Sequence, residues 1–257
     1  MKSIEVLNPF NAPTYYLDVV SSTMDVSRKL SSNGEPHGTV ITADFQEAGR
    51  GRIQGRFWQT ERKKNLMFTI LFRYNQIEDI PKALTLRTGL AVSLAIEDFL
   101  PCLKNKVKVK WPNDIIIENK KAAGILCEAD GGYVHIGIGV NVLQKEFPSK
   151  LKNKATSLCL TAIKEIKEGE IFILLEKILK RLYEKIENDK NDWKLLIEKR
   201  LYKMNERVVF IEGAADSGME IKGTISGIGD NGELLIIPEN ETQTMSFYNG
   251  ELMIGLT

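Results

Sequence analysis

The run Gly49-Arg50-Gly51-Arg52-Ile53-Gln54-Gly55-Arg56-Phe57-Trp58 packs three arginines and three glycines into ten residues and ends on an indole. Guanidinium groups neutralise carboxylate and phosphate, often through two parallel hydrogen bonds. Glycine lets a backbone come close to a ligand that a Cβ would repel. The indole of Trp58 can stack on a nucleobase. By itself the run is balanced between an anion-binding loop and a solvated basic loop, and Arg-Gly spacing also occurs in RNA-binding segments.

Three further blocks could do chemistry. Lys110-Trp111-Pro112-Asn113-Asp114 stands between two strand-like runs. Proline cannot donate to a central ladder, so the chain must bend there and present Asn113 and Asp114. An ordinary Asx turn accounts for the same pattern. In Lys121-Ala122-Ala123-Gly124-Ile125-Leu126 one cation opens an apolar strand, which alone reads as a flanking charge. Gly137-Ile138-Gly139-Val140-Asn141 is a strand whose glycines permit close approach and which ends in an amide, and a β-bulge explains it as well.

The elements around these blocks follow from pattern. Ser22-Thr23 supplies hydroxyl caps for a helix over residues 26–30. Residues 39–43 and 66–72 are expected strands, the second buried, and residues 46–61 a loop almost without aliphatics. Residues 84–100, apolar at Leu84, Ala91, Leu94, Ala95 and Phe99, read as an amphipathic helix. Strands are expected at 107–111, 114–117, 121–127 and 133–142, the middle two joined by the turn Glu118-Asn119-Lys120. Helices follow near 168–188 and 191–203. From about Glu206 the chain changes to short β runs at 207–211, 220–228, 233–237 and 242–248, with Asp230-Asn231-Gly232 as a hairpin turn. The fold class is α+β: a mixed β-sheet with helices packed on it over residues 1–204, then a five-strand minibarrel over 205–257.

Composition narrows the partners. The chain has 257 residues, 43% hydrophobic and 27% charged, which suits one medium domain plus a small one with an ordinary core. A net charge of +1 offers no global field for nucleic acid or membrane, so any basic site is local. Cys102, Cys127 and Cys159 are odd in number and far apart, which argues against a disulfide framework and fits a reducing compartment. His37 and His135 stand alone, so structural histidines are expected rather than a zinc site or a Ser-His-Asp triad. The first residues lack the apolar core of a signal peptide, and no run of about 18 apolar residues occurs, so a cytoplasmic protein is expected.

Taken in order, the blocks resemble the biotin–protein ligase family. That pattern runs from Ser-Thr before the first helix through GRGRxGRxW, KWPND, KxxGIL and GxGxN to an SH3-like C-terminal domain. The likeness spans about residues 15 to 255. It implies a class II synthetase-like catalytic domain, a mixed sheet with helices on one face, followed by an SH3-like β-barrel. It implies two steps: the biotin carboxylate attacks the α-phosphate of Mg-ATP to give biotinyl-5'-AMP and pyrophosphate, then a carrier lysine takes the acyl group and AMP leaves. By the resemblance, Ser22, Thr23, Gln46, Arg50, Gly51, Arg52, Lys121 and Gly124 belong to the biotin side. Arg56, Trp58, Asn113, Lys121 and Asn141 belong to the ATP side, with Asn141 near adenine. Lys121 and Arg52 serve the reacting anions, and Mg2+ accompanies ATP. The implied partner is a biotin carboxyl carrier protein of acetyl-CoA carboxylase or a related carboxylase, with no DNA and no membrane. Relatives are monomers or dimers through a sheet edge, and residues 133–142 are a candidate edge for a homodimer.

The chain departs from the family pattern at four places. Ile53-Gln54 stands where one residue is usual, Met24 stands where asparagine is usual, and Gly255 falls where some relatives carry a basic residue toward ATP. Only about 20 residues precede Ser22, which leaves no room for the helix-turn-helix domain of regulatory relatives. The alternatives are a lipoate–protein ligase or octanoyltransferase on the same fold, a non-catalytic biotin-binding repressor, and an interaction module resting on the barrel. The first lacks support because its Arg-Arg-rich glycine-triplet motif with a histidine is missing from this sequence.

Overall fold

In the computed structural model, described for residues 1–53, 55–58, 61–188, 192–213 and 218–253, eight strands form one mixed sheet. They are β1 (Lys2–Ser3), β2 (Thr14–Val20), β3 (Thr39–Gln46), β4 (Asn65–Arg73), β5 (Lys108–Lys110), β6 (Asp114–Ile117), β7 (Lys120–Asp130) and β8 (Tyr133–Asn141). The order across the sheet is β1-β2-β3-β4-β8-β7-β6-β5. Among the described strand pairs of this sheet only β2–β3 is parallel, and helix α1 (Thr23–Ser32) makes that crossover.

Side-chain alternation along β8 separates two faces. Ile136, Ile138 and Val140 enter the main apolar core with α2 (Leu84–Phe99) and α4 (Ile171–Leu182). On the other face a Cβ at Gly137 would lie 2.9 Å from Met24 Sδ, and His135 Nδ1 meets Ser27 Oγ at 2.8 Å. So α1 packs opposite the larger helices, rather than every helix sharing one face. Residues 133–142 are not an edge, because β8 is paired along its length with β4 and with β7. The outer side of β5 is taken by backbone bonds to Arg200 and Tyr202.

The C-terminal strands β9 (Arg207–Glu212), β10 (Met219–Ile228), β11 (Leu234–Pro238), β12 (Met245–Phe247) and β13 (Glu251–Leu252) form a five-stranded antiparallel sheet, the expected kind for an SH3-like unit. Its buried face holds Phe210, Ile225, Leu234, Ile236 and Phe247. Trp111 joins it to the larger sheet: its indole donates to Gly232 O at 2.9 Å and its ring meets Phe210 edge-on at 5.9 Å.

Pattern reading missed β1, β2, β13 and the single turn α3 (Leu158–Thr161). The helix expected over 168–188 is regular only in α4, with one tight turn before it and a wider turn after it. The helix expected over 191–203 is shorter, α5 (Trp193–Glu198), and residue 191 lies outside the described residues. Glu118 and Asn119 both adopt left-handed backbone, at φ 51° and 61°, which suits a two-residue hairpin between β6 and β7. Among the described residues no helix is long and apolar enough to cross a membrane.

Candidate functional site

Two adjoining cavities open on the α1 face of the large sheet. The inner one begins at the α1 N-terminus, where Ser22 Oγ accepts from Met24 N at 3.3 Å. A hydrogen-bond chain follows. Thr69 Oγ1 donates to Thr23 Oγ1 at 2.8 Å, and Thr23 donates to Gln46 Oε1 through its hydroxyl at 3.0 Å and its amide at 2.7 Å. The chain fixes how Gln46 points, with its Nε2 at 3.6 Å from Met67 Sδ. Met24 is buried in this pocket, filling with a thioether the position where the family pattern has an amide. Arg50, Gly51, Arg52, Trp58 and Gly124 complete the pocket's rim.

The arginine-rich run is a small hairpin laid over this pocket. Gly51 N donates to Arg56 O and Trp58 N to Gly49 O, both at 2.9 Å. Ile53 and Gly55 lie at its tip, and Gly55 has the positive φ of +82° that such a turn requires. Of the two residues that stand where one is usual, Ile53 lies at the tip and Gln54 lies outside the described residues. Contacts reach both ways from the hairpin. Arg50 Nη1 meets Asp25 Oδ1 of α1 at 2.8 Å. Arg52 Nη2 donates to Gly250 O at 2.8 Å, and Arg56 grips Glu251 at 2.9 and 2.8 Å.

Trp58 lies flat on the sheet where β7 and β8 carry glycine. A Cβ at Gly139 would fall 2.6 Å from the indole, and one at Gly124 3.1 Å from it. The indole lines the inner pocket, whose cavity measures about 70 Å³. Its own N–H is buried and has no acceptor among the described residues.

The outer cleft, about 700 Å³, runs from this point between the large sheet and β13. Gly51, Arg52, Trp58, Asn113 and Lys121 line both cavities and so mark their junction. Lys121 Nζ meets Asp114 Oδ1 at 2.6 Å and stands 5.7 Å from the centre of the Trp58 ring. Asn113, rather than standing exposed, is half-buried and donates to Ile125 O at 2.8 Å; the Trp111–Pro112 peptide before it is cis. Asn141 lines the cleft and donates to Thr156 O at 3.0 Å, which holds the 142–156 segment as a wall. Arg56 and Lys110 line the outer cleft alone. Burial pushes the Lys110 amine below the ordinary lysine range, opposed by Asp114 and Glu251. Burial pushes the Glu251 carboxyl up, but Arg56, with Lys110 and Arg52, more than offsets this and holds it below the usual range.

Each biotin-side and ATP-side residue expected from the resemblance thus lines one cavity or both, and Gly255 lies outside the described residues. Sequence reasoning missed the wall formed by Phe147, Leu151 and Ala155, and missed Lys110, Gly250 and Glu251 as parts of the site. Among the described residues no group of three or more histidine, cysteine or acidic side chains could hold a metal by itself. The geometry can bring two anions together: one enters the small polar-ended pocket, the other lies along the cleft, and cations flank their meeting point.

Comparison with known proteins gives a consistent set. A sequence profile described as the biotin/lipoate A/B protein ligase family matches residues 16–142. The chain is 34% identical over 254 residues to the bifunctional ligase/repressor BirA of Bacillus subtilis (strain 168), covering 93% of this chain and 73% of that protein. It is 33% identical over 150 residues to the biotin--[acetyl-CoA-carboxylase] ligase of Mycobacterium tuberculosis, covering 55% of this chain and 54% of the other. Its fold superposes on biotin protein ligase from Aquifex aeolicus in complex with biotin and ATP with a TM-score of 0.76 and 29% identity, covering 93% and 97% of the two chains.

Proposed function

The chain belongs to the biotin protein ligase family, and from that premise we propose how its two cavities divide the work. The protein is an ATP-dependent, AMP-forming ligase that activates biotin and transfers it. The observation that carries the residue-level reading is the junction where both cavities share Lys121, Arg52 and Trp58. Biotin takes the inner pocket, its polar head toward Ser22, Thr23 and Gln46 and its carboxylate toward the junction. ATP takes the outer cleft, its α-phosphate at the junction and its adenine toward Asn141.

The carboxylate oxygen attacks the α-phosphorus, the bond to the β-phosphate oxygen breaks, and pyrophosphate leaves. Two anions resist this approach, so the barrier falls when they are held together and the developing charge is neutralised. Lys121 and Arg52 supply that charge. The biotinyl-adenylate hydrolyses if wet, so the hairpin 49–58 acts as its cover. A lysine amine of the acceptor then attacks the acyl carbon, loses a proton, and AMP departs. The acceptor is a biotin carboxyl carrier protein of acetyl-CoA carboxylase or a related carboxylase. Mg2+ accompanies the nucleotide. Its usual setting is one or two carboxylates plus phosphate oxygens and waters, a set that Asp114 and Glu251 fit, and it would spread the charge of the leaving pyrophosphate. Residues 1–204 carry this chemistry, and the 205–257 unit closes the cleft through β13.

The deciding experiment is biotin-dependent ATP–pyrophosphate exchange, followed by mass gain on a carrier domain, with lipoate and octanoate as parallel substrates. Exchange with biotin alone is expected. Exchange driven by lipoate or octanoate, or none at all, overturns the reading.

A further inference from the structure

Lys145, Lys150, Lys152 and Lys154 stand against a single carboxylate, Glu146, between residues 142 and 156, in a chain whose net charge is only +1. All four lysines are exposed. None makes an ion pair among the described residues, whereas Arg50, Arg56 and Lys121 of the site each have a carboxylate. The segment cannot spread these charges apart, because backbone bonds fix both of its ends. Val142 N and Leu143 N donate to Lys64 O at 3.2 and 2.7 Å. Lys121 N donates to Lys154 O at 2.8 Å, and Thr156 N donates back to Lys121 O at 2.9 Å. The cluster is therefore mounted rigidly beside Lys121, at the junction of the two cavities.

The four lysines divide by where they point. Lys150 and Lys154 line the outer cleft, where the nucleotide accounts for them. Lys145 and Lys152 line neither cavity. A nucleotide inside the cleft does not reach that pair, so the anion they meet lies outside, at the mouth. The acceptor arrives there, because its lysine amine must enter the cleft to reach the acyl group. Phe57, 71% exposed, and Met253, 38% exposed, also line the cleft. Exposed apolar side chains next to a charged rim suit a folded protein surface better than a nucleic acid or a free anion. The amine to be modified is itself a cation before it reacts, so a lysine-rich approach repels any acceptor that lacks carboxylates around that amine.

We propose that the 142–156 face is the docking surface for the acceptor protein, and that it takes an acidic patch beside the target lysine. The assignment rests on the transfer reaction proposed above and names the surface chemistry of its protein substrate. Charges at a rim act on encounter: they raise the association rate, reject wrong partners, and fade with salt.

The test uses the full-length protein in three forms besides wild type. Lys145→Glu with Lys152→Glu reverses the pair, and Lys145→Gln with Lys152→Gln neutralises it. Lys104→Glu with Lys180→Glu makes the same charge change at two exposed lysines, one beyond α2 and one on α4. The acceptor probe is the biotin carboxyl carrier domain of the source organism's acetyl-CoA carboxylase. Pyrophosphate exchange, transfer to the carrier and carrier binding are measured at about 0.02 M and about 0.5 M salt. At low salt the glutamate pair is expected to raise the carrier KM and weaken carrier binding by about tenfold or more, the glutamine pair by less, and the control by under about twofold. At high salt the differences should close, since the screening length falls from about 20 Å to about 4 Å. Exchange needs no acceptor and should stay within about twofold of wild type throughout. An unchanged carrier KM and affinity overturns the proposal and makes the lysines a solvated face. Exchange that falls as far as transfer also overturns it and puts the pair in the nucleotide's service. So does duplex DNA binding that the glutamate pair abolishes while carrier binding is untouched. Wild-type protein that binds the carrier through these lysines but shows no exchange instead removes the ligase reading and leaves the docking surface standing.

Discussion

Arg56 of the hairpin donates both guanidinium arms to the Glu251 carboxylate of β13, at 2.9 and 2.8 Å. With Arg52 on the Gly250 carbonyl, this fastens a cover formed near residue 50 to a strand near residue 250. Half of the Arg56 side chain is exposed, so the pair contributes little to global stability, about 0–1 kcal/mol. Its effect is on where the cover sits.

Glu251→Ala should therefore leave the melting temperature almost unchanged and loosen the hairpin. Trypsin cuts after arginine, which makes Arg52 and Arg56 built-in reporters. Cleavage at these two sites should be faster in Glu251→Ala than in wild type, and saturating biotin with ATP should slow it in both. Equal cleavage rates for the two proteins, free and liganded, would show that the barrel contact does not hold the cover.

The indole of Trp58 rests on Gly139 and Gly124, and it reaches the sheet only because neither has a Cβ. Gly139 has no positive φ, so alanine there meets a steric obstacle and no backbone strain. Gly139→Ala should displace the indole by at least a few tenths of an ångström, shift tryptophan emission and weaken ATP binding by about tenfold, within the range of a lost aromatic contact. Combining it with Trp58→Phe should make the emission shift vanish. A shift that survives in the double variant assigns the signal to Trp111 or Trp193 and removes this account of the two glycines.

The inner half of the site was legible because it is local. Ser22-Thr23 caps the helix that positions them, and Gly124, Gly137 and Gly139 face it from a β-hairpin whose alternation is visible in sequence. Its outer half was not. The Arg52–Gly250 bond joins positions 198 residues apart, and nothing in a two-residue strand such as β13 marks it in advance. Segment 142–156 has no periodicity, since its place is fixed by Asn141, Lys64 and Lys121 rather than by a pattern of its own. Strand β2 was missed because Tyr15, Tyr16, Leu17 and Asp18 do not alternate cleanly; its pairing with β3 is a non-local, parallel contact.

The two histidines titrate in opposite directions. His135 is fully buried, and burial, with Arg28 nearby, holds its imidazole below the ordinary value. Its folded form is neutral, so the stability it contributes is present above the unfolded value and is lost as pH falls. His37 is raised: burial opposes protonation, but Glu187 at 3.3 Å and the Arg73 carbonyl outweigh it. That contribution is present at low pH and is lost as pH rises through the folded value. Melting temperatures across about pH 5 to 8, where histidine titrates, should show the acid-side loss reduced in His135→Gln and enlarged in His37→Gln. Parallel curves for both variants and wild type would mean that neither histidine governs the pH dependence.

Lys121 gives the most direct test of the junction. Its ammonium lies 2.6 Å from Asp114, whose side chain is only 16% exposed, and its aliphatic stem passes Gly124. A structural reading makes it the counterion of a half-buried carboxylate; a catalytic reading makes it the charge on two meeting anions. Lys121→Ala alone confounds these, because it also strands Asp114. The double variant Lys121→Ala with Asp114→Asn removes both charges together and should recover most of any lost stability. If the ammonium acts mainly in the transition state, biotin-dependent pyrophosphate exchange should stay down by about 100-fold or more in both variants, on the order of 3 kcal/mol. Lys120→Ala, at the preceding residue and with no ion pair among the described residues, should change rate and stability by no more than about 0.5 kcal/mol. Lys121→Arg should not rescue, since a planar fork cannot replace a point charge shared by two anions. Exchange restored in the double variant would make Lys121 the keeper of Asp114 and leave Arg52 as the charge that serves the reaction.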